Sequence, residues 1–296
     1  MPAKAAILAA LAAFTVAYVA VFVASLRRAN FPKPSAAHLA TGFVTNFFDT
    51  LGIGSFATTT AIFKFRRMVP DELMPGTLNA GHTLPTIFQA FIYVSAIGVD
   101  ITTLTLLIAG AVTGAWFGSG LVTKLSRRAV QFCMGGALLV AAAAMLARQF
   151  DLFPVGGEAL GLDGWRLAAG VAGNFFFGAI GTLGIGFYAP CMTMVSLLGM
   201  NPVAAFPIMM GSSAFLMPVA SMRFVWSRAY LAPVAVGLAL GGLAGVPLAA
   251  FVVKSLPLTA LRWLVVLTVL YAAVLMLRSA LASGDQKSAT VAAADC

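Results

Sequence analysis

The sequence predicts an all-α polytopic membrane protein, and three observations lead to this class. The chain of 296 residues is 61% hydrophobic and only 9% charged. Its mean hydropathy of +0.98 exceeds what a soluble domain of this length needs to build a core. The basic residues stand in small groups between apolar runs, which is typical of loops that set membrane topology. The net charge of +9 therefore indicates orientation in a bilayer and predicts no nucleic-acid partner.

The first apolar run, Ala5 to Leu26, predicts a transmembrane helix. It is too long for the core of a signal peptide and has no convincing cleavage site. We therefore assign residues 1–34 to an N-terminal transmembrane helix and a linker. Residues 283–296 are small and polar, and we expect them to form a disordered cytoplasmic tail. The three cysteines are widely spaced and form no CxxC pair, so the sequence predicts no disulfide framework.

A pentapeptide, TLGIG, occurs twice, at 50–54 and at 182–186, each time inside an apolar stretch. The same offset aligns Pro70 with Pro202, so the matches continue in order beyond the pentapeptide. An ordered series of matches indicates a duplicated unit. Glycine-rich breaks at corresponding positions in the two halves of a membrane protein indicate the substrate site of a transporter.

We assign repeat 1 to residues 35–150 and repeat 2 to residues 151–282. Upstream of the pentapeptide, the triplet that begins at Asn46 resembles the triplet that begins at Asn174. These two triplets align only if repeat 2 carries four extra residues before its pentapeptide. The alignment predicts that the two asparagines occupy corresponding positions.

The stretch 35–63 is too long for a single crossing. At 1.5 Å per residue it would span roughly 43 Å, against a hydrocarbon core of about 30 Å. A break at 52–54 divides it into two half-helices, which form either a broken crossing or a re-entrant hairpin. If every segment crosses, the 18 Lys and Arg residues divide equally between the two sides. If both pentapeptide segments are re-entrant, thirteen fall on one side and five on the other, as expected of cytoplasm and exterior.

The charge distribution therefore favours seven full crossings and two re-entrant hairpins in the cell inner membrane. The N-terminus is expected outside and the C-terminus in the cytoplasm. Each repeat then contains one broken helix pair and three spanning helices, so the two copies are inverted. In this arrangement the two breaks meet near the membrane midplane, as in inverted-repeat transporters.

The breaks have the chemistry of an anion site. Gly52 and Gly54 allow backbone conformations that other residues resist, and they leave N–H groups without side-chain cover. A helix that starts beyond the break presents unpaired N–H donors and a partial positive charge. Two such helix starts facing each other would favour an anion. The alternative is that the glycines only permit close packing between helices.

Together these motifs, a TLGIG element at the head of each copy and a later GxxxG-like helix, resemble the TauE/SafE family of membrane permeases. The resemblance covers nearly the whole chain. It implies transport, often outward, of sulfur-containing oxyanions or organosulfonates such as sulfite, sulfoacetate or thiosulfate. The chain departs from the family's GGG pattern, because Ser55-Phe56 and Phe187-Tyr188 follow the second glycine.

Candidate substrate-binding residues come from both breaks and from the spans that follow them. The intramembrane acid Asp49 is the candidate for proton coupling, and its alternative role is a helix cap. Repeat 2 has Gly181 at the aligned position, so the role would be asymmetric. The histidine and the asparagines among the candidates have a second interpretation as packing or bracing groups. The candidates are Asn46, Thr50, Gly52, Gly54, Ser55, His82, Asn174, Thr182, Gly184, Gly186, Tyr188, Ser212 and Ser213.

The sequence thus predicts a secondary transporter, more specifically an exporter, with no cofactor and no metal. The chain lacks a Walker A motif and is not expected to hydrolyse ATP itself. The alternatives are a passive anion channel and an importer of thiosulfate or another small anion, coupled to protons or sodium. An intramembrane enzyme is disfavoured, because neither HExxH nor GxSxG occurs. The expected partners are a small anion and the lipid bilayer, and a homodimer stays open.

Overall fold

The computed structural model describes residues 2–28, 30, 33–152, 156–183, 187–252, 263, 266–267 and 269–281. These residues form helices and connecting turns, with no strand among them, so the prediction of an all-α protein is confirmed. The second break, 184–186, and the predicted tail, 283–296, lie outside the described residues.

The helices follow one another through short connections. A short 3₁₀ turn leads into α4 and another leads into α9, and a π turn continues α10. In chain order the helices are α1 (Pro2–Arg28), α2 (Ala36–Thr50), α3 (Ser55–Arg66), α4 (Met74–Ala96), α5 (Ile101–Val122), α6 (Arg127–Gln149), α7 (Gly164–Gly181), α8 (Tyr188–Leu197), α9 (Ala205–Trp226), α10 (Ala232–Pro247) and α11 (Val269–Leu281).

Five helices in the described part of the chain are long and apolar enough to cross a membrane, namely α1, α5, α6, α9 and α10. They correspond to five of the seven predicted crossings. The sixth, α4, has 23 residues but carries many buried polar side chains, which lower its mean hydropathy. The seventh, α11, is described only as a shorter apolar helix. Long apolar helices of this kind are compatible with a polytopic membrane protein.

The helices pair reciprocally between the two halves of the chain. α2 packs along α10, α7 packs along α5, and α4 packs against α9 between them. Gly241 lies against the carbonyl of Leu39, and Gly110 lies against the carbonyl of Val171. A side chain at either glycine would collide with the backbone of the partner helix, so small residues are needed for this close approach. These equivalent contacts relate α2 to α7 at an offset of 132 residues (Leu39 to Val171).

The register of these contacts corrects the alignment of the two asparagines. At the offset of 132, Asn46 corresponds to Gly178 and Asn174 corresponds to Gly42. Gly42 lies against the backbone of α10, and in the matching place the Asn174 amide donates to the carbonyl of Leu107 on α5. When the two repeats are aligned by these contacts, the positions of the two asparagines differ by four residues, about one helical turn. Repeat 2 therefore has no extra residues before its pentapeptide.

The bundle has two ends, which we call face A and face B. At face A, α4 and α10 begin together, since the Leu231 N–H donates to the Thr77 hydroxyl at 2.9 Å. At face B, α4 ends beside the start of α1, where Lys4 Nζ donates to the Ile97 carbonyl at 2.8 Å. α5 and α7 also begin at face B, where the Asp100 N–H bonds to the carbonyl of residue 160 just before α7.

The first break produces a helical hairpin that opens to face A. Gly52 has φ 84° and Gly54 has φ 94°, conformations that L side chains rarely adopt, and the chain leaves the helix between 51 and 54. α2 begins beside the first turns of α10, and at its end Thr50 meets Gln89, well along α4. α3 then returns, so that Lys64 reaches Asp71 just before α4 begins, at 2.9 Å. Both ends of this hairpin therefore lie at face A.

The second hairpin, α7 and α8, opens in the opposite direction. The two helices are antiparallel, because Gly173 contacts Met194 while Gly170, near the start of α7, contacts Leu198 after the end of α8. The chain before α7 pairs with the chain after α8 at Ala159 and Met200. Both ends of this hairpin therefore lie at face B. Its tip, by which we mean the described residues on either side of the second break, Gly181 and Phe187, lies opposite the tip of the first hairpin in the interior of the bundle.

Candidate functional site

The two hairpin tips meet at a small cavity of about 40 Å³ in the interior of the bundle. Its wall includes Thr86 of α4 and Ser213 of α9, the helices that run between the hairpins. The rest of the wall comes largely from residues related by the offset of 132, which means that the cavity lies where the two halves meet. These related pairs are Asp49 with Gly181, Ser55 with Phe187, and Phe56 with Tyr188.

Asp49 is the acidic residue on the wall of this cavity. Its side chain is buried and faces Gln89, Tyr188 and both the hydroxyl and the backbone N–H of Ser55. The residue at the N-cap of α3 is Gly54, which has no side chain to cap the helix. The Asp49 carboxyl supplies the missing acceptor at this helix start, where a negative group is favoured by the helix dipole. Within the described residues, no lysine or arginine forms a salt bridge with Asp49.

Tyr188 connects the tip of the second hairpin to the acid of the first. Its hydroxyl lies 3.2 Å from Asp49 Oδ2 and 3.2 Å from Gln89 Oε1. Gln89 itself donates through Nε2 to the Thr50 hydroxyl at 3.0 Å. A phenol has one proton and cannot fully satisfy two acceptors. A protonated Asp49 would donate to the phenol oxygen and leave the phenol proton for Gln89.

His82 lies beside the cavity and not on its wall. Its Nδ1 is 3.0 Å from Asn46 Oδ1, and its Nε2 is 3.0 Å from the Thr59 hydroxyl. Asn46 also donates through Nδ2 to the carbonyl of Gly42 at 2.8 Å. A neutral histidine with its proton on Nδ1 satisfies the whole chain of contacts. His82 and Asn46 therefore brace α2 against α3 and α4, which is the second interpretation that the sequence left open for them.

The second hairpin has its own brace, centred on Asn174. The amide of Asn174 donates to the carbonyl of Leu107 at 3.0 Å and lies 3.2 Å from the Ser212 hydroxyl. The Cys191 thiol approaches the amide oxygen of Asn174 at 3.6 Å. One asparagine thus ties α7 to α5, α8 and α9. The Thr182 hydroxyl bonds back to the carbonyl of residue 179, within its own helix.

The predicted site residues divide into three groups. Those that line the cavity are Asp49, Gly54, Ser55, Tyr188 and Ser213. Those that the structure places behind the wall, in the braces or in the turn itself, are Asn46, Thr50, Gly52, His82, Asn174, Thr182 and Ser212. Those that lie outside the described residues are Gly184 and Gly186.

Two polar residues of the site, Thr86 and Gln89, were missed by the sequence reasoning. Both belong to a single polar row along α4, whose members recur every three or four residues and so share one helix face. The spacing of polar residues in a predicted apolar span was the signal that could have identified them. The row is Asn79, His82, Thr86, Gln89 and Tyr93.

Comparison of the chain with known protein families, with characterised proteins and with solved structures gives no match. The likeness to the TauE/SafE permeases therefore depends on the motifs of the sequence alone.

Proposed function

We propose that the protein is a secondary transporter for a small anion, of the class of sulfur oxyanions and organosulfonates. The observation that carries the proposal is the position of the Asp49 carboxyl at the start of α3, where the two hairpin tips meet. Backbone donors at a helix start favour a negative group. A transported anion would be attracted to the same helix start, and a nearby hydroxyl, that of Ser213, lies on the cavity wall.

The proposed membrane arrangement is an inverted repeat with two re-entrant hairpins. It is supported by the opposite directions in which the hairpins open, the first to face A and the second to face B. The larger number of basic residues at face A supports its assignment as the cytoplasmic side. Among the described residues twelve lie at face A, against three at face B. The N-terminus is then outside and the C-terminus in the cytoplasm of a cell with an inner membrane.

Asp49 supports a transport cycle in which a proton accompanies the anion. An ionised carboxylate in so small a cavity would repel a second negative charge, and no described cation balances it. A proton on Asp49 removes the repulsion and also completes the hydrogen bonds of Tyr188. The anion and the proton therefore bind together, and a monovalent anion crosses without net charge. The direction, outward by resemblance to the permeases, follows the gradients of both species.

A passive channel is the second candidate, and the size of the cavity favours the transporter over it. Ligand pockets usually measure about 300–1,000 Å³, and the cavity of about 40 Å³ is far smaller. The tips must therefore move apart to admit a substrate, which is the behaviour of a site with alternating access. Tip movement also breaks the contact between Tyr188 and Asp49, so occupancy and movement are linked.

The first experiment is ligand-induced thermal stabilisation of the purified protein. Sulfite, thiosulfate, sulfoacetate, taurine, sulfate and small carboxylates are tested in parallel. An anion at a hundred times its dissociation constant stabilises the folded state by about 2.7 kcal/mol. Stabilisation by a sulfur anion in wild type and its loss in Gly54→Ala, but not in Gly136→Ala on α6, would support the site. A protein that responds to none of these anions would refute it.

A counterflow experiment in proteoliposomes separates the transporter from the channel. Vesicles loaded with unlabelled anion are diluted into labelled anion at low concentration. A transporter accumulates label transiently, because exchange through its site is saturable. Label that only equilibrates passively, at a rate linear in concentration, would favour the channel.

A further inference from the structure

A second pocket lies at face A, away from the hairpin tips. It measures about 600 Å³ and is formed by the end of α1, the end of α9 and the connection to α10. Two arginines, Arg28 and Arg228, line it from different segments. Ser25 and Tyr230 also line it, and their hydroxyls lie 2.8 Å apart. The pocket therefore combines two cations with two hydroxyl groups.

Within the described residues, no acid pairs with the two arginines of this pocket. The salt bridges within the described residues involve Lys64 and Arg127, and neither Arg28 nor Arg228 takes part in one. The sequence contains no acid in residues 1–48 or 164–284, so α1, α9 and α10 carry none. Two guanidinium groups that share a pocket without acids form a site for an anion, and phosphate suits them because it accepts hydrogen bonds in pairs.

An apolar groove of about 520 Å³, lined by residues of α1 alone, continues from the pocket along the outward face of this helix. Ala24 lines both, and the groove extends through Val23 and Val19 to Val16, towards the middle of the bundle. Only 17% of the apolar window of α1 is buried, so this helix faces outward. A ligand that filled both spaces would have an anionic head at face A and an apolar chain parallel to α1.

We propose that the pocket and the groove together bind one anionic phospholipid, with its phosphate between Arg28 and Arg228 and an acyl chain along α1. Basic pockets between helices at the cytoplasmic surface suit anionic headgroups. Trp226, which is 62% exposed at the edge of the pocket, is a residue type enriched at the membrane–water interface. A free phosphate ion would use the arginines alone, whereas the acyl chain of a lipid would also cover the apolar groove along α1.

The test measures the thermal stability of the detergent-purified protein in mixed micelles. Phosphatidylglycerol is titrated in, with phosphatidylcholine as the zwitterionic lipid. We expect phosphatidylglycerol to raise the melting temperature of wild type, and each of Arg28→Gln and Arg228→Gln to weaken its apparent affinity about fivefold, which corresponds to about 1 kcal/mol per charge. Arg66→Gln removes an exposed charge at the same face outside the pocket and is expected to behave as wild type.

Further arms distinguish the sources of the effect. Glycerol phosphate and inorganic phosphate at equal concentration test whether a soluble anion suffices, and melting curves without lipid confirm that each variant is folded. Stabilisation by the soluble phosphates equal to that by phosphatidylglycerol would overturn the lipid assignment. An equal loss of affinity in Arg66→Gln and in the pocket variants would reduce the effect to general surface charge and would also overturn it. Equal stabilisation by phosphatidylcholine would do the same.

Discussion

Replacing Asp49 by Asn tests the central step of the proposed mechanism. The amide keeps an oxygen that accepts from the Ser55 N–H at the start of α3, but it cannot ionise. The geometry of the tip is thereby preserved while the proton site is removed. In the proposed cycle the wild-type site binds the anion only when Asp49 is protonated, whereas the variant is always in the neutral state.

The expected size of the effect follows from the separation of the two charges. Asp49 lines this cavity, so an anion in contact with its carboxyl would lie about 4 Å from it, the usual separation of two charged groups in contact. Two unit negative charges at that separation repel by about 4 kcal/mol at an effective dielectric constant of about 20. Ionised Asp49 would therefore weaken anion binding by about a thousandfold.

The assay measures anion affinity from thermal stabilisation as a function of pH. The anion must stay fully ionised throughout, so that only the protein titrates. We expect the wild-type affinity to fall by up to tenfold per pH unit as Asp49 loses its proton, and that of Asp49→Asn to stay constant. In alkaline solution the variant should bind up to about a thousandfold more tightly than wild type.

A matched control for this experiment is Asp100→Asn, which changes an acid at face B outside the cavity and should leave the pH dependence as it is in wild type. Two results would refute the reasoning. One is a pH dependence in Asp49→Asn that equals that of wild type, because the titrating group would then lie elsewhere. The other is weaker binding by Asp49→Asn at every pH, because the carboxylate itself would then be needed.

Three further predictions concern stability and are checked by thermal unfolding in detergent. Gly54→Ala should destabilise the protein by about 1–3 kcal/mol through backbone strain alone, because φ is 94° and a methyl group there meets open space. Gly136→Ala within α6 should instead stabilise the protein by up to about 1 kcal/mol. Equal effects of the two substitutions would contradict the strain argument. Gly114→Ala should cost about 1–3 kcal/mol, because the methyl group would meet the backbone of α7 and force α5 away from it; an unchanged melting temperature would mean that the two helices are not held at this spacing. Asp100 caps α5, and the backbone N–H and hydroxyl of Thr103 hold its pKa below the ordinary value; Asp100→Ala should therefore cost about 1 kcal/mol at neutral pH, and the difference from wild type should vanish as the pH falls through the lowered pKa, because the cap is then protonated in wild type too.

The glycine break could be predicted because it depends on local properties, whereas the re-entrant hairpin was a prediction from the basic residues of the whole chain. The glycines at 52 and 54 require no knowledge of the rest of the fold, and the observed φ values agree with their role. The length of the stretch 35–63 excluded a single straight crossing, and the charge distribution selected the hairpin. The contacts of Thr50 and Lys64 with α4 agree with that choice.

The register of α2 and α7 could not be predicted in the same way. Residue identity favoured the alignment of Asn46 with Asn174. Helix packing, however, depends on which residues are small enough to admit the backbone of the partner helix. Gly42 and Gly178 provide that room, and each asparagine occupies the place where the other helix has a glycine. Sequence similarity of three residues is weaker evidence than the contact pattern of a whole helix pair.

The polar row on α4 shows a different limit. His82 drew attention because histidine titrates near neutral pH, yet its two ring nitrogens are both used in the brace. Thr86 and Gln89, one and two turns further on, reach the cavity wall and its acid. The spacing of the polar residues predicts that this face of α4 points towards the protein interior. Which of its residues lie beside the hairpin tips depends on how far the hairpins extend into the bundle.

The asymmetry of the tips links the proposed cycle to a proton. Asp49 and Gly181 occupy equivalent places on the cavity wall, so only the hairpin that opens to face A carries an acid. The hydroxyl that contacts this acid belongs to Tyr188, on the hairpin that opens to face B. Parting of the tips separates the acid from the phenol whichever hairpin moves. The protonation of Asp49 and the contact between the tips therefore depend on each other, and a symmetric pair of breaks without the acid would bind an anion but would not link it to a proton.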